Sequence, residues 1–201
     1  MHNELNFHTI PVLVINLPHR HERLIRCKNE LNKLFGYNKD FTLINGVVDE
    51  SPMIGIAKAH QKAIQFAKKN KMQNVIIVED DLQVFDSSLK YAEQAFLNAP
   101  DNFDILLGCC YTGEPKQIDN EYWNKQSGHH SALIFYCINE KIYDTMLNFK
   151  YTQHIDAFIS DKFNTYLPKK FFVKQYDNEL SDNTGQIVSY DQLLNKYEIL
   201  K

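Results

Sequence analysis

Three carboxylates in a row, Glu79-Asp80-Asp81, follow directly on Val75-Ile76-Ile77-Val78, the most apolar run of its kind in the chain. A β-branched run of that length reads as a buried strand, so the acidic triplet sits where a strand ends. In an open α/β sheet, ligands collect outside the carboxyl ends of the strands. Three adjacent carboxylates repel one another, and without a compensating charge each is driven toward its protonated form. A divalent cation relieves that repulsion. Oxygen ligands alone favour a hard ion, Mn²⁺ or Mg²⁺, which keeps open positions that phosphate oxygens can fill. The plainer reading is a solvated acidic turn that also caps the helix after it.

Two other segments carry residues suited to a ligand. Val12-Leu13-Val14-Ile15 reads as a strand and runs into Asn16-Leu17-Pro18-His19-Arg20-His21-Glu22-Arg23, a polar, basic turn that opens a helix. Helix N-termini and arginines both suit phosphate. The competing reading is an ordinary βα loop whose arginines pair with surface carboxylates. In Met53-Ile54-Gly55-Ile56-Ala57-Lys58-Ala59-His60 a glycine opens a helix and His60 follows further along it. A lone helical histidine is more often packed or exposed than reactive.

The elements that must position these residues alternate. After the first strand, Arg20 to Leu34 carries Leu24, Cys27, Leu31 and Leu34 at helical spacing. Phe41 to Ile44 reads as a strand, Ala57 to Asn70 as a helix, and Ser88 to Asn98 as another helix that Pro100 forbids from continuing. Phe103 to Leu107 and Ser131 to Cys137 read as strands, Glu140 to Leu147 and Asp156 to Phe163 as short helices, and Phe171 to Val173 as a last strand. This alternation argues for an α/β fold around a mostly parallel sheet. Residues 108–130 show no sustained period and read as a long functional loop, and the polar tail from Asp177 to Thr184 resembles it.

The chain of 201 residues is the size of one domain, and 44% hydrophobic residues suffice for a core without disulfide or metal staples. With 25 acidic and 22 basic residues the net charge is −3, which argues against a nucleic-acid partner, since such proteins are usually basic. No apolar run reaches membrane-spanning length, and the N-terminus is too polar for a secretory signal. Cys27, Cys109, Cys110 and Cys137 form no CxxC pair, as expected of a reducing compartment. A cytoplasmic protein is expected, with no membrane span and no more than peripheral membrane contact.

Taken in order, Ile15-Asn16-Leu17 with Arg20 and Arg23, then Gly55 with His60 on a helix, then a strand ending in Glu79-Asp80-Asp81, resemble glycosyltransferase family 25. That family holds lipopolysaccharide glycosyltransferases and collagen galactosyltransferases. Phe103 to Gly108 looks like the family's strand after the acidic helix, and Gly128 to Tyr136 with Ile138-Asn139 is similar to its GTxAYLIS region. Ile155-Asp156 resembles its later acidic position, and Gln175 to Asp182, ending Ser181-Asp182, its closing motif. The resemblance covers roughly residues 10–185. The chain departs from it at Ala59, where the family has Ser before His, and at His129, His130 and Leu133, where the family has a small residue and Tyr.

The resemblance implies a GT-A-type nucleotide-binding sandwich in one domain, with residues 10–110 as the donor-binding part and 111–190 as the acceptor-side and catalytic part. It implies an inverting, metal-dependent transfer of a sugar from a nucleotide sugar, of the UDP class in the family's manner, to a glycan, lipid-linked or protein hydroxyl. On it, Asn16, Leu17, Arg20, Arg23, Gly55, His60, Glu79, Asp80, His130, Ser181 and Asp182 would contact the nucleotide sugar, and Asp81 with Asp80 the metal. Asp156 would take the acceptor's proton; its competing role is a helix N-cap. His129 and His130 have three open roles: metal ligand, sugar contact, or hydrogen bonding within the loop. Tyr122 and Trp123 would stack on an acceptor sugar or anchor the loop by packing. Two other readings stand beside the transferase: a nucleotidyl- or phosphotransferase using the same acidic site, and a non-catalytic sugar-nucleotide-binding remnant.

Overall fold

The computed structural model describes residues 5–37, 39–180, 185–194 and 197–200. In chain order the elements are β1 (Val12–Asn16), α1 (His21–Phe35), β2 (Phe41–Asn45), α2 (Pro52–Lys69), β3 (Asn74–Glu79) and β4 (Leu82–Val84). They continue with α3 (Ser88–Leu97), β5 (Ile105–Leu107), β6 (Thr112–Ile118), β7 (Trp123–Ser131), β8 (Phe135–Asn139), α4 (Tyr143–Leu147) and α5 (Ile155–Lys162). The chain closes with β9 (Thr165–Pro168), β10 (Val173–Gln175), β11 (Glu179–Leu180), β12 (Ile187–Val188) and α6 (Tyr190–Leu194).

Eight strands form one sheet in the order β2-β1-β3-β8-β5-β9-β7-β6. The pairings β1–β2, β1–β3 and β5–β9 are parallel, whereas β8 runs against β3 and β5, and β7 against β9 and β6. Six strands therefore point one way and two oppose them, so the sheet is mostly parallel in sense. α1 and α3 pack on one face, and α2, α4 and α5 on the other. This is the α/β sandwich that the resemblance implies.

The sequence pattern explains the centre of the sheet. β1 is buried at all five positions and β3 at its four central ones, because both faces are covered by helices. Burying these continuous Val/Ile/Leu runs supplies about 25 cal/mol per Å² of apolar surface removed from water. α1 turns Cys27, Leu31, Leu34 and Phe35 inward and stops at Gly36, whose φ of +79° few other residues adopt at low cost. α2 begins at Pro52, five residues before the expected Ala57, because proline suits the first helical turn.

The expected long loop at 108–130 is mostly a β-hairpin, β6–β7, that extends the sheet to its far edge. The expected strand from Ser131 begins only at Phe135, since Ser131 ends β7 and Ala132 turns the chain at φ +109°. The expected last strand is shifted too: Phe171 and Phe172 are buried, and β10 starts at Val173, pairing with β4.

Candidate active site

The chain leaves β1 for β2 on one side and returns from β2, past β1, to β3 on the other. The point where the strand order reverses lies between β1 and β3, the place where open α/β sheets leave a crevice at their carboxyl ends. A cavity of about 450 Å³ opens there, in the range that holds small ligands and cofactors. Its floor is Asn16 and Leu17 after β1 and Glu79, Asp80 and Asp81 after β3; Arg20 and Arg23, Gly55 and His60 also line it.

Asn16 ties the two strand ends together. Its buried side-chain amide donates to Asp80 Oδ2 at 2.7 Å and to the Arg20 carbonyl at 3.1 Å. The Arg20 N–H donates to the Leu17 carbonyl at 2.8 Å, which tightens the turn into α1. Arg23, one turn into α1, sits 3.5 Å from Asp80 Oδ1. Burial pushes the Asp80 carboxyl up, while the Asn16 hydrogen bond and Arg23 pull against it.

The three carboxylates of the triplet have different partners. Glu79 Oε1 lies 2.9 Å from His60 Nε2, and His60 Nδ1 lies 2.8 Å from the Tyr136 hydroxyl. Complete burial holds the Tyr136 phenol protonated, and the His60 ring bridges it to Glu79 through its two nitrogens. Asp81 accepts from Gln175 Nε2 at 2.8 Å through Oδ2, and its Oδ1 is buried with no hydrogen-bond partner. Burial, then Glu79, pushes the Asp81 carboxyl up to about 7.

Among the described residues no three His, Cys, Asp or Glu side chains converge as a ready metal cage. Mg²⁺-type ions are commonly held by one or two carboxylates together with substrate phosphates, and such a set fits here. Asp81 Oδ1 is the buried oxygen left without a partner, whereas Asp80 is committed to Asn16 and Arg23. Electrostatics point the same way. The cavity lining carries the carboxylates of Asp49, Glu79, Asp80, Asp81 and Glu179 against the guanidiniums of Arg20 and Arg23. A cation bound beside an anionic ligand would offset this negative balance.

Gly55 stands where α2 crosses the Val47–Asp49 segment. A Cβ there would lie 2.7 Å from the Val47 carbonyl oxygen, so glycine is what lets the helix approach this closely.

Asp156 lies outside the cavity lining, in the first turn of α5, where His154 and not Asp156 is the N-cap residue. Its Oδ2 accepts from the Ala132 N–H at 3.3 Å. Because β8 runs antiparallel to β3, the turn before β8 returns to the carboxyl end of β3, which brings Ala132 and with it Asp156 toward the triplet. Burial, then the Glu79 charge, pushes the Asp156 carboxyl up to about 6, with His60 and His129 acting in the opposite sense. Its neighbourhood is therefore the Glu79–His60 pair at the edge of the cavity.

His130 is fully buried and also lies outside the cavity lining; Nδ1 pairs with Ser160 Oγ at 2.8 Å, and the same oxygen accepts the His130 backbone N–H at 3.0 Å. Burial pushes its pKa down to about 4. Neighbouring His129 is exposed. Ser181 and Asp182 lie outside the described residues. Trp123 is wholly buried, its ring edge-on to Phe96 and its indole N–H donating to the Ala95 carbonyl at 2.6 Å; it anchors the hairpin and cannot stack on a ligand. Tyr122 packs beside Tyr91, with ring centres 5.7 Å apart.

Asp49, Tyr176, Glu179 and Tyr190 also line the cavity; Tyr176 and Glu179 fall inside the Gln175 to Asp182 segment of the resemblance, whereas Asp49 and Tyr190 did not stand out in the sequence. Asp49 arrives after β2, held by Lys58 at 2.6 Å. Tyr176 is fixed by its N–H to the Asp81 carbonyl at 2.9 Å and its hydroxyl to Glu30 Oε1 at 2.9 Å. Asp49 and Tyr190 carry no local spacing signal, because each comes from a separate part of the chain.

No protein-family model and no curated protein matches the chain. Solved structures do. The crystal structure of A197 from STIV is similar over 90% of this chain and 93% of that one, with 13% identity and a TM-score of 0.51. A glycosyltransferase involved in the glycosylation of the major capsid of PBCV-1 is similar over 68% of this chain and 63% of its own, with 10% identity and a TM-score of 0.46. Mannose-1-phosphate geranyltransferase from Thermus thermophilus is similar over 82% of this chain and 75% of its own, with 9% identity and a TM-score of 0.46. At 13% identity the likeness to A197 speaks for the fold, over nearly the whole of both chains.

Proposed function

We propose that this chain is a glycosyltransferase that moves a sugar, with inversion, from a nucleotide sugar of the UDP class to a hydroxyl on a glycan, lipid-linked or protein acceptor. The observation that carries this reading is one cavity at the sheet's switch point in which arginines of a helix start face an acidic strand end. Arg20 and Arg23 provide charge for a diphosphate, and the strand-end carboxylates provide acceptors for hydroxyls and for a cation. Mn²⁺ or Mg²⁺ would be held by Asp81, with Asp80 beside it, and when bound would act as a Lewis acid toward the departing diphosphate.

The chain's own residues support the rest of the reaction. The acceptor oxygen forms a bond to the anomeric carbon while the bond from that carbon to the β-phosphate oxygen breaks. The electron pair leaves with the nucleoside diphosphate, and the acceptor's proton goes to a carboxylate on the opposite side. Asp156 is assigned that role: buried, and with its carboxyl raised to about 6, it is a stronger base than a solvated aspartate and still ionised at neutral pH. Glu79, held by His60, accepts hydrogen bonds from donor or acceptor hydroxyls.

A screen of common UDP-sugars with Mn²⁺ and a mixed panel of hydroxyl acceptors, read by UDP release, tests this. Release with at least one donor, together with thermal stabilisation by UDP and Mn²⁺ that Asp81→Ala abolishes, is the expected result. Pyrophosphate release from a nucleoside triphosphate and a sugar phosphate would instead assign nucleotidyl transfer. Binding without turnover of any donor would leave a sugar-nucleotide-binding remnant.

A further inference from the structure

The chain has nineteen lysines but three arginines, and all three, Arg20, Arg23 and Arg26, fall on the start of α1. Arg23 and Arg26 are three residues apart and share a helix face. Both are met by one carboxylate from the far end of the chain, Glu179 of β11. Glu179 Oε2 lies 3.1 Å from Arg23 Nη2, and Glu179 Oε1 pairs with Arg26 Nη1. The Arg26 guanidinium also lies over the Tyr176 ring, 3.8 Å from its centre.

The fit of Glu179 to this pair is incomplete. Its Oε2 is buried and takes part in no hydrogen bond, despite the short ion-pair distance to Arg23. Arg26 Nε and Nη2 are buried and donate to nothing. A guanidinium presents its donors as a fork suited to two oxygens at once, and a carboxylate shared with Arg23 leaves the remaining Arg26 donors unfilled. A diphosphate has enough oxygens to fill them. Arg23 and Glu179 both line the cavity, so this pair lies at the wall of the space already described and not on a remote surface.

We propose that Arg23 and Arg26 form a subsite for a diphosphate, and that Glu179 occupies it in the free protein as an internal anion that the diphosphate displaces. The inference rests on the nucleotide-sugar reading for its biological ligand but not for its test, which uses inorganic pyrophosphate alone. Displacement frees the Glu179 carboxylate and, through Tyr176 and β11, couples occupancy of the subsite to the position of the segment that borders the cavity. The segment is itself tethered, by the Asn178 N–H to the Val188 carbonyl at 3.1 Å and by the Tyr176 contacts to Asp81 and Glu30.

The experiment is calorimetric titration of pyrophosphate, without metal, into the wild-type chain, Glu179→Gln, Glu179→Ala and the double variant Glu179→Gln/Arg26→Gln. Both single variants should bind roughly tenfold or more tightly than wild type, because the competing charge is gone, and the double variant should lose that gain. Equal or weaker binding by the two Glu179 variants, with circular dichroism showing them folded, overturns the proposal. Should Glu179→Gln not fold, Glu179→Ala decides alone; should neither fold, Glu179 is a structural brace and the proposal falls. Tighter binding in a chain that turns over no UDP-sugar would sink the transferase reading and leave the subsite. Turnover with no gain in the variants would do the reverse.

Discussion

His60 Nε2 lies 2.9 Å from Glu79 Oε1, and the other ring nitrogen is occupied by the Tyr136 hydroxyl, so one oxygen of the Glu79 carboxylate is fixed from inside the core. The buried end of this chain of bonds is the costly one to break. His60→Leu strands the buried Tyr136 hydroxyl and Tyr136→Phe strands the buried His60 Nδ1, so each single variant should cost about 1–3 kcal/mol. The double variant should lose less than the sum of the two. Urea unfolding of the four proteins checks the cycle; additive losses would mean that the two side chains do not depend on each other.

Asp156→Asn tests the base. It keeps the shape of the side chain and its contact with the Ala132 N–H, but cannot take a proton. Donor binding should persist, measured as stabilisation by UDP with Mn²⁺, while transfer drops about 10²–10⁴-fold. In the wild type, transfer should also decline as the pH falls below about 6, where this carboxyl protonates. A variant that transfers at the wild-type rate removes Asp156 from the reaction.

His130 makes a separate claim about acid stability. Burial lowers its folded-state pKa from 6.5 to about 4. A depressed pKa means that the unfolded chain binds the proton more readily, so the stability contribution is whole above pH 6.5 and is lost as the pH falls toward 4. The shift corresponds to a loss on the order of 3 kcal/mol across that window. Asp156, whose pKa is raised, acts in the opposite sense over part of the same range, so the comparison must be between proteins. The stability advantage of wild type over His130→Asn should shrink from pH 7 to pH 4; a constant difference would show that folding leaves the pKa of His130 unchanged.

At Gly55 two effects compete. Alanine favours a helix interior by about 1 kcal/mol over glycine. The new Cβ, however, would stand 2.7 Å from the Val47 carbonyl oxygen, a backbone atom that cannot rotate away. Overpacking of this kind costs typically about 1–3 kcal/mol, so Gly55→Ala should be destabilising by about 1 kcal/mol. A raised melting temperature in that variant would show that α2 shifts freely, and that the close approach to Val47 is not needed.

The central elements were legible in the sequence because their signals are local. Val12 to Ile15 and Val75 to Val78 are continuous β-branched runs, and Leu24, Cys27, Leu31 and Leu34 mark one helical stripe. The β6–β7 hairpin was not legible. Its strands carry Gly113, Pro115 and Gly128 among polar residues, and Trp123 is their one large aromatic side chain. Their pairing is fixed by β9 and by the burial of Trp123 against α3, both long-range events that leave no period in the chain. The same division runs through the cavity. Residues that follow β1 and β3 are contiguous and stand out, whereas Asp49, Tyr176, Glu179 and Tyr190 become neighbours of the triplet only when the chain has folded.

The hairpin that escaped notice also decides what the rim of the sheet offers to other molecules. β6 is the outermost strand on its side, and its register with β7 breaks twice, between Thr112 and Glu114 and between Pro115 and Gln117. Proline brings no amide hydrogen, and each break twists the ribbon away from a flat line. A second copy seeking to add itself there would meet an interrupted template and not a continuous row of backbone donors and acceptors.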